Sequence, residues 1–394
     1  MVLQMHPPVE DTIQSAQTEA TAPEKMPVLP QTRAEAVEVG RMKLRTPRLM
    51  DRGNWLLLVI SGAVLTAMLV IGMVFSSLNG IAQPATTGTS SANSADNMGS
   101  MGSSSTSSAP APSVPHTTYN AALPAVPAGD NVDVKLVMKE QLVTIASGIT
   151  YHAWTFNGTV PGPIIHVRQG QMVHVTLVNE GSMAHSIDFH AAQTPWNVNY
   201  QSVEPGKSFS FSWRANFPGV FMYHCGTPTV IYHMANGMYG TIIVDPANGW
   251  GAPAQEYALV QSEFYTASNP DGTYSVDSNK MMSGIPDYVV FNGYVNQYED
   301  APLMAKAGQK IRLFILNAGP TQFSAFHVIG AIFSDTYIDG NPANHMVGNQ
   351  TVTIPPGGGV MVELTMPESG LYPFVTHAFA NASKGAVGVL KVTP

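Results

Sequence analysis

The 394 residues contain one cysteine, Cys225, within Tyr223-His224-Cys225-Gly-Thr-Pro-Thr-Val-Ile-Tyr-His233-Met-Ala-Asn-Gly-Met238. A single cysteine closes no disulfide within its own chain, so its neighbours decide its use. The histidine eight residues on and the methionine five further set an imidazole and a thioether beside the thiolate. With one more histidine from elsewhere, these are the ligands of a blue-copper electron-transfer site. A lone cysteine is more often a small buried hydrophobe, but His224, directly before it, argues for chemistry. Adjacent strand residues point to opposite faces. If Cys225 binds one copper, His224 is turned away from it and can bind another, one residue of covalent chain apart.

The segment His185-Ser-Ile-Asp188-Phe-His190 supplies the remaining donors. On an extended strand His185 and His190 differ by an odd number of positions, so they face opposite sides. One can join Cys225, His233 and Met238 while the other joins His224. Asp188 shares the face of His190 and can support a ligand there or handle protons. Any one of these histidines alone reads as a hydrogen-bonded core residue; together they read as two metal sites.

The elements that must position these groups are strands. From about residue 116 the chain breaks into short β-branched, alternating runs at 132–137, 162–167, 171–178, 208–213, 219–223 and 241–244, punctuated by turns such as Pro161-Gly162 and Pro205-Gly206. That pattern predicts an antiparallel β-sandwich. The pattern then repeats. Phe156-Asn157-Gly158 returns as Phe291-Asn292-Gly293, Gly170-Gln171 as Gly308-Gln309, Pro205-Gly206 as Pro356-Gly357, and the run from Gly237 to Pro246 as the run from Gly385 to Pro394. Self-similarity in the same order implies a duplicated domain. In the second copy Ala378 stands where Cys225 stands and Ala386 where Met238 stands, so it holds no blue copper. His377, beside Ala378, matches His224, and its retention assigns it to the other metal site.

These residues resemble the two-domain copper-containing nitrite reductases over roughly 130–394. The resemblance rests on Trp154-Thr-Phe-Asn-Gly-Thr-Val-Pro-Gly-Pro163, His185-x-x-Asp188-x-His190, His224-Cys225, His233, Met238 and His377. It implies an all-β chain of two tandem cupredoxin-like Greek-key β-sandwiches, at 116–250 and 251–394, assembled as a homotrimer and serving denitrification. It implies type 1 copper on His185, Cys225, His233 and Met238. Type 2 copper would lie on His190 and His224, with His377 from the neighbouring protomer. Nitrite would be the substrate, Asp188 the general acid, and a small cupredoxin or c-type cytochrome the electron donor. The resemblance also places a second catalytic histidine five residues after His327, where this chain has Ile332. Asp188 would then work without that partner, or with His345, Asp335 or solvent in its stead; His327, like His152, His166 and His174, reads as structural. Ile332 leaves room for two alternatives: another small oxidant such as dioxygen, or a tethered blue-copper electron carrier. The absence of any His-x-His segment argues strongly against a laccase-like oxidase.

The rest of the chain places this portion in the cell. The formal charge is −8. Residues 1–53 are balanced, so the excess of acid lies beyond them; a basic footprint for nucleic acid is absent. Residues 55–75 form an uncharged, largely apolar run, long enough to cross a bilayer. Arg41, Lys43, Arg45, Arg48 and Arg52 crowd its N-terminal flank, which by the positive-inside rule keeps that side cytoplasmic. The expectation is a single-pass protein of the cell membrane: a disordered cytoplasmic tail at 1–53, a transmembrane helix at 54–76, a disordered Ser/Gly/Pro-rich linker at 77–115 and extracytoplasmic catalytic domains.

Overall fold

The structure is a computed structural model that describes residues 112–394. The expected tail, transmembrane helix and all but the last four residues of the linker lie outside the described residues. Among the described residues no helix is long and apolar enough to cross a membrane.

Two β-sandwiches follow one another. The first packs a six-stranded sheet, in the order Thr266–Ser268, Tyr274–Val276, Ile149–Phe156, Asn131–Ala146, Met172–Asn179 and Ser208–Arg214, against a four-stranded sheet of Ile165–Arg168, Tyr239–Asp245, Gly219–His224 and Asp188–Phe189. Its core is one apolar cluster drawn from both sheets, including Leu136, Phe156, Val175, Phe189, Phe211, Tyr223 and Ile242. The second packs a six-stranded sheet built on Gln255–Phe264 and Lys310–Gly319 against a five-stranded sheet of Ala301–Lys306, Val387–Thr393, Gly370–Thr376, Ser324–Val328 and Thr351–Ile354. Leu259, Leu313, Phe326, Phe333, Phe374 and Leu390 are among its core residues. The strands at 266–276 return to the first sandwich although they follow residue 250, so the sequence boundary at 250/251 does not divide the sheets.

A third apolar layer joins the two sandwiches. Val220, Met222, Tyr239 and Ile243 pack there with Val260, Phe264, Phe314, Leu316 and Met361. The strand Gly219–His224 is therefore buried on both faces. Phe221, Tyr223 and Cys225 point into or toward the first core, while Val220, Met222 and His224 point the other way, as period-two alternation requires.

The segment before the first strand ties the sandwiches together. The Tyr119 hydroxyl donates to the Gly162 carbonyl (2.8 Å), its backbone N–H donates to the Gln297 side chain (2.6 Å), and the Tyr298 hydroxyl donates to the Tyr119 carbonyl (3.0 Å). Ala122 pairs with Tyr257.

Candidate metal centres

The strand Gly219–His224 delivers Cys225 at its end, and Cys225 N–H donates to the Met238 carbonyl (3.0 Å). The short helix Val230–Ala235 brings His233 back over the thiol, and Met238 N–H donates to the His233 carbonyl (3.1 Å). This loop closes Cys225, His233 and Met238 into one buried corner. His185, held by paired backbone hydrogen bonds with Val203, enters from the facing edge. The Cys225 Sγ lies 3.2 Å from His233 Nδ1 and 3.8 Å from His185 Nδ1, and the two Nδ1 atoms are 3.3 Å apart.

Burial, reinforced by the neighbouring His185, pulls the His233 pKa down to about 4; burial also lowers that of His185. Both imidazoles are thus neutral near pH 7 with lone pairs available. Ser186 N–H donates to Cys225 Sγ (3.4 Å). Trp154 sets its ring edge-on to His233, 4.8 Å between centroids. Two imidazole nitrogens and a thiol sulfur converge without water access, a donor set that fits copper better than any harder cation.

On the outer face of the same strands lies a second group. Asp188 pairs with His224 across the Asp188–Phe189 and Gly219–His224 strands, and Asp188 Oδ2 is 3.7 Å from His224 Nε2. His190 extends that ladder through its N–H to the Met222 carbonyl (3.0 Å) and sets its ring 5.3 Å from that of His224. His224 Nδ1 donates to the Cys225 carbonyl (2.9 Å), which leaves Nε2 as the lone-pair nitrogen facing Asp188 and His190. Asp188, His190 and His224 bring their donor atoms within 4.8 Å of one another. This second donor set also fits a copper ion, with Asp188 beside it.

His377 joins neither group among the described residues. It is exposed at the end of the strand Gly370–Thr376 in the second sandwich. Its N–H donates to the Ala325 carbonyl (2.7 Å), and its ring lies 5.2 Å from that of His327.

That contact fixes how the second sandwich lines up with the first. Ala325 stands to His377 as Asp188 stands to His224, so His327 is the counterpart of His190; the dipeptide Phe189-His190 is repeated as Phe326-His327. The two histidine pairs have nearly the same spacing, 5.3 and 5.2 Å. His327 orients its ring through Nδ1 to the Gln350 carbonyl (2.5 Å). Ile332 is a 60% exposed side chain beyond the turn.

The other sequence histidines have local partners. His152 meets Thr273 (2.9 Å), His174 meets Ser212 (2.7 Å), and His166 pairs with Asp245 (3.1 Å). His345 is bound to Asp335 (2.8 Å) and stacked on Tyr337, so these two engage each other.

A buried His–Cys–His group in one of two tandem sandwiches, backed by paired histidines on the next face, defines a copper oxidoreductase, and the multicopper oxidase family model matches residues 137–249. The curated copper-containing nitrite reductase of Neisseria meningitidis serogroup B is 40% identical over 269 residues, 66% of this chain and 68% of that one. A solved copper nitrite reductase from Nitrosomonas europaea superimposes with a TM-score of 0.62 at 38% identity, covering 67% of this chain and 94% of that one. A copper-containing nitrite reductase from Thermus scotoductus gives a TM-score of 0.61 at 33% identity, covering 67% and 62%. The chain belongs to the copper-containing nitrite reductases, and copper is its cofactor.

Proposed function

We propose that this protein reduces nitrite to nitric oxide, consuming one electron and two protons and releasing water. The observation that carries the reading is the placement of Cys225 and His224: consecutive residues that belong to two donor groups on opposite faces of one sheet.

His185, Cys225, His233 and Met238 hold the type 1 copper, and His190, His224 and the partner subunit's His377 hold the type 2 copper. Bound there, the first copper supplies one-electron transfer and the second supplies Lewis-acid binding of the anion. The rest falls to the chain. Burial of His185 and His233 keeps water and protons from the electron-accepting site. The peptide joining Cys225 to His224, braced by the hydrogen bond from His224 Nδ1 to the Cys225 carbonyl, gives the shortest covalent route between the sites. Asp188, on the face of His190 and His224, holds a proton for the leaving oxygen of nitrite as general acid. Solvent supplies the second proton.

Exposure supports the assembly. His377 is solvent-facing, and Phe323, Ile329, Ile332 and Phe379 on the adjoining strand and loops are exposed apolar side chains. A surface of this kind marks an interface. A homotrimer brings the His327–His377 pair of one subunit to the His190–His224 pair of the next. Ile332, in the position where the resemblance places a second catalytic histidine, is the one feature that favours a pure electron carrier.

The sequence of residues 1–76 supports a membrane-anchored enzyme with its catalytic portion outside the cytoplasm, receiving electrons from a small cupredoxin or c-type cytochrome. The test of activity is nitric oxide release by the copper-loaded protein under anaerobic conditions with nitrite and a chemical reductant. Sustained release that collapses in Asp188→Asn supports the reading. A protein loaded with both coppers that releases none overturns it.

A further inference from the structure

His185 has a second ring nitrogen that the copper site does not use. Its Nδ1 faces Cys225 and His233, while Nε2 points to the opposite side, fully buried and without a hydrogen-bond partner. The polar group it faces is the carboxylate of Glu140, with Oε1 at 3.6 Å, an ion-pair distance. Glu140 comes from the first strand, Asn131–Ala146, and is distant in sequence from every donor.

The carboxylate is held in place. Ser182 N–H donates to both oxygens (3.1 and 3.0 Å), and the Ser182 hydroxyl donates to Oε1 (3.3 Å). A side chain at position 181 would put its Cβ 2.9 Å from both oxygens, so Gly181 leaves the room the carboxylate fills. The loop carrying these donors is fixed in turn. Glu180 N–H donates to the Met138 carbonyl (2.9 Å), and Gly181 N–H donates to the Asn179 side chain (2.9 Å).

We infer that Glu140 is a positioning residue for the type 1 copper: its carboxylate keeps the proton of His185 on Nε2 and its negative charge favours the oxidised metal. The inference rests on the reading of His185 as a ligand. A neutral imidazole carries one N–H, so a ring that gives its Nδ1 lone pair to a metal must keep its proton on Nε2. A carboxylate facing that N–H fixes the tautomer and ring orientation and raises the basicity of the ligating nitrogen. A more basic ligand and a nearby anion both stabilise Cu(II) relative to Cu(I), so Glu140 holds the reduction potential down.

The experiment uses the copper-loaded full chain and its Glu140→Gln, Glu140→Ala and Glu140→Asp variants, measured by absorption spectroscopy, redox titration and thermal melting. Glutamine keeps an acceptor for Ser182 but loses the charge; alanine loses both. The expected result is a retained blue band with a raised potential in the Gln and Ala variants, a shift of about tenfold in the Cu(I) to Cu(II) preference, or about 59 mV for one electron. Aspartate is expected to recover part of that shift. Unmoved potentials in both the Gln and Ala variants, even with a lowered melting temperature, overturn the inference and leave Glu140 as a tether for the Ser182 loop. The ligand assignment is read separately from the blue band of the parent and its loss in Cys225→Ser. A copper-loaded parent without that band overturns the assignment and the inference together.

Discussion

Cys225 and His224 are consecutive residues turned to opposite sides of one sheet: the thiol lies in the first core beside His185 and His233, and the His224 Nε2 faces Asp188 on the outer side. The two donor groups are therefore separable by mutation. Cys225→Ser is expected to abolish the blue absorption while the copper held by histidines remains; His224→Ala is expected to do the reverse. Visible absorption and electron paramagnetic resonance on the same samples check both, and a variant that loses both signals would show that the sites are not independent.

Asp188 is expected to act on protons rather than on metal retention. Asp188→Asn should lower kcat by about 10²–10⁴, the usual contribution of general acid–base catalysis, with copper content unchanged. An unchanged kcat in Asp188→Asn would contradict its role as general acid.

His166 links stability to pH. Burial alone would lower its pKa, but the hydrogen bond and charge of Asp245, aided by the Pro124 carbonyl, outweigh burial and raise it. A histidine whose pKa is raised by folding stabilises the fold below its unfolded value, about 6.5, and that contribution fades as pH rises through the native value. His166→Gln should therefore cost more stability near pH 5.5 than near pH 9, measured as the shift in urea midpoint at each pH. An equal cost at both would mean that the Asp245 ion pair contributes nothing.

Gly240 lies against Tyr223, the residue before His224. A Cβ at position 240 would sit 2.3 Å from the Tyr223 ring and hydroxyl, and Tyr223 is fully buried with its hydroxyl on the Pro163 carbonyl. Gly240→Ala is expected to destabilise the fold by about 1–3 kcal/mol, the usual cost of overpacking a core, and to broaden the type 2 copper signal by shifting His224. Chemical denaturation and spectroscopy of the variant test the two parts.

Much of the first site could be read from the sequence because it depends on parity along single strands. Cys225 against His224 and His185 against His190 need only period two. The duplication was likewise visible, since its repeated turns and dipeptides are local. That His327 lies beside His377 was not legible, because it comes from a cross-strand register, Phe326 opposite Thr376, which no spacing along the chain states. Glu140 escaped for the same reason: only the folded loop at 179–182 brings it to His185. The return of the strands at 266–276 to the first sandwich was also invisible, because a short alternating run does not say which sheet it joins.

Each chain is expected to hold two coppers, the second completed by the partner subunit's His377. The direct measurement is copper content and electron paramagnetic resonance of the oxidised full-length protein beside His377→Ala. The parent should hold two coppers with distinct type 1 and type 2 signals, and the variant should keep the blue band and lose the type 2 signal. A variant that loses the blue band, or keeps both signals, would contradict the assignment of the sites.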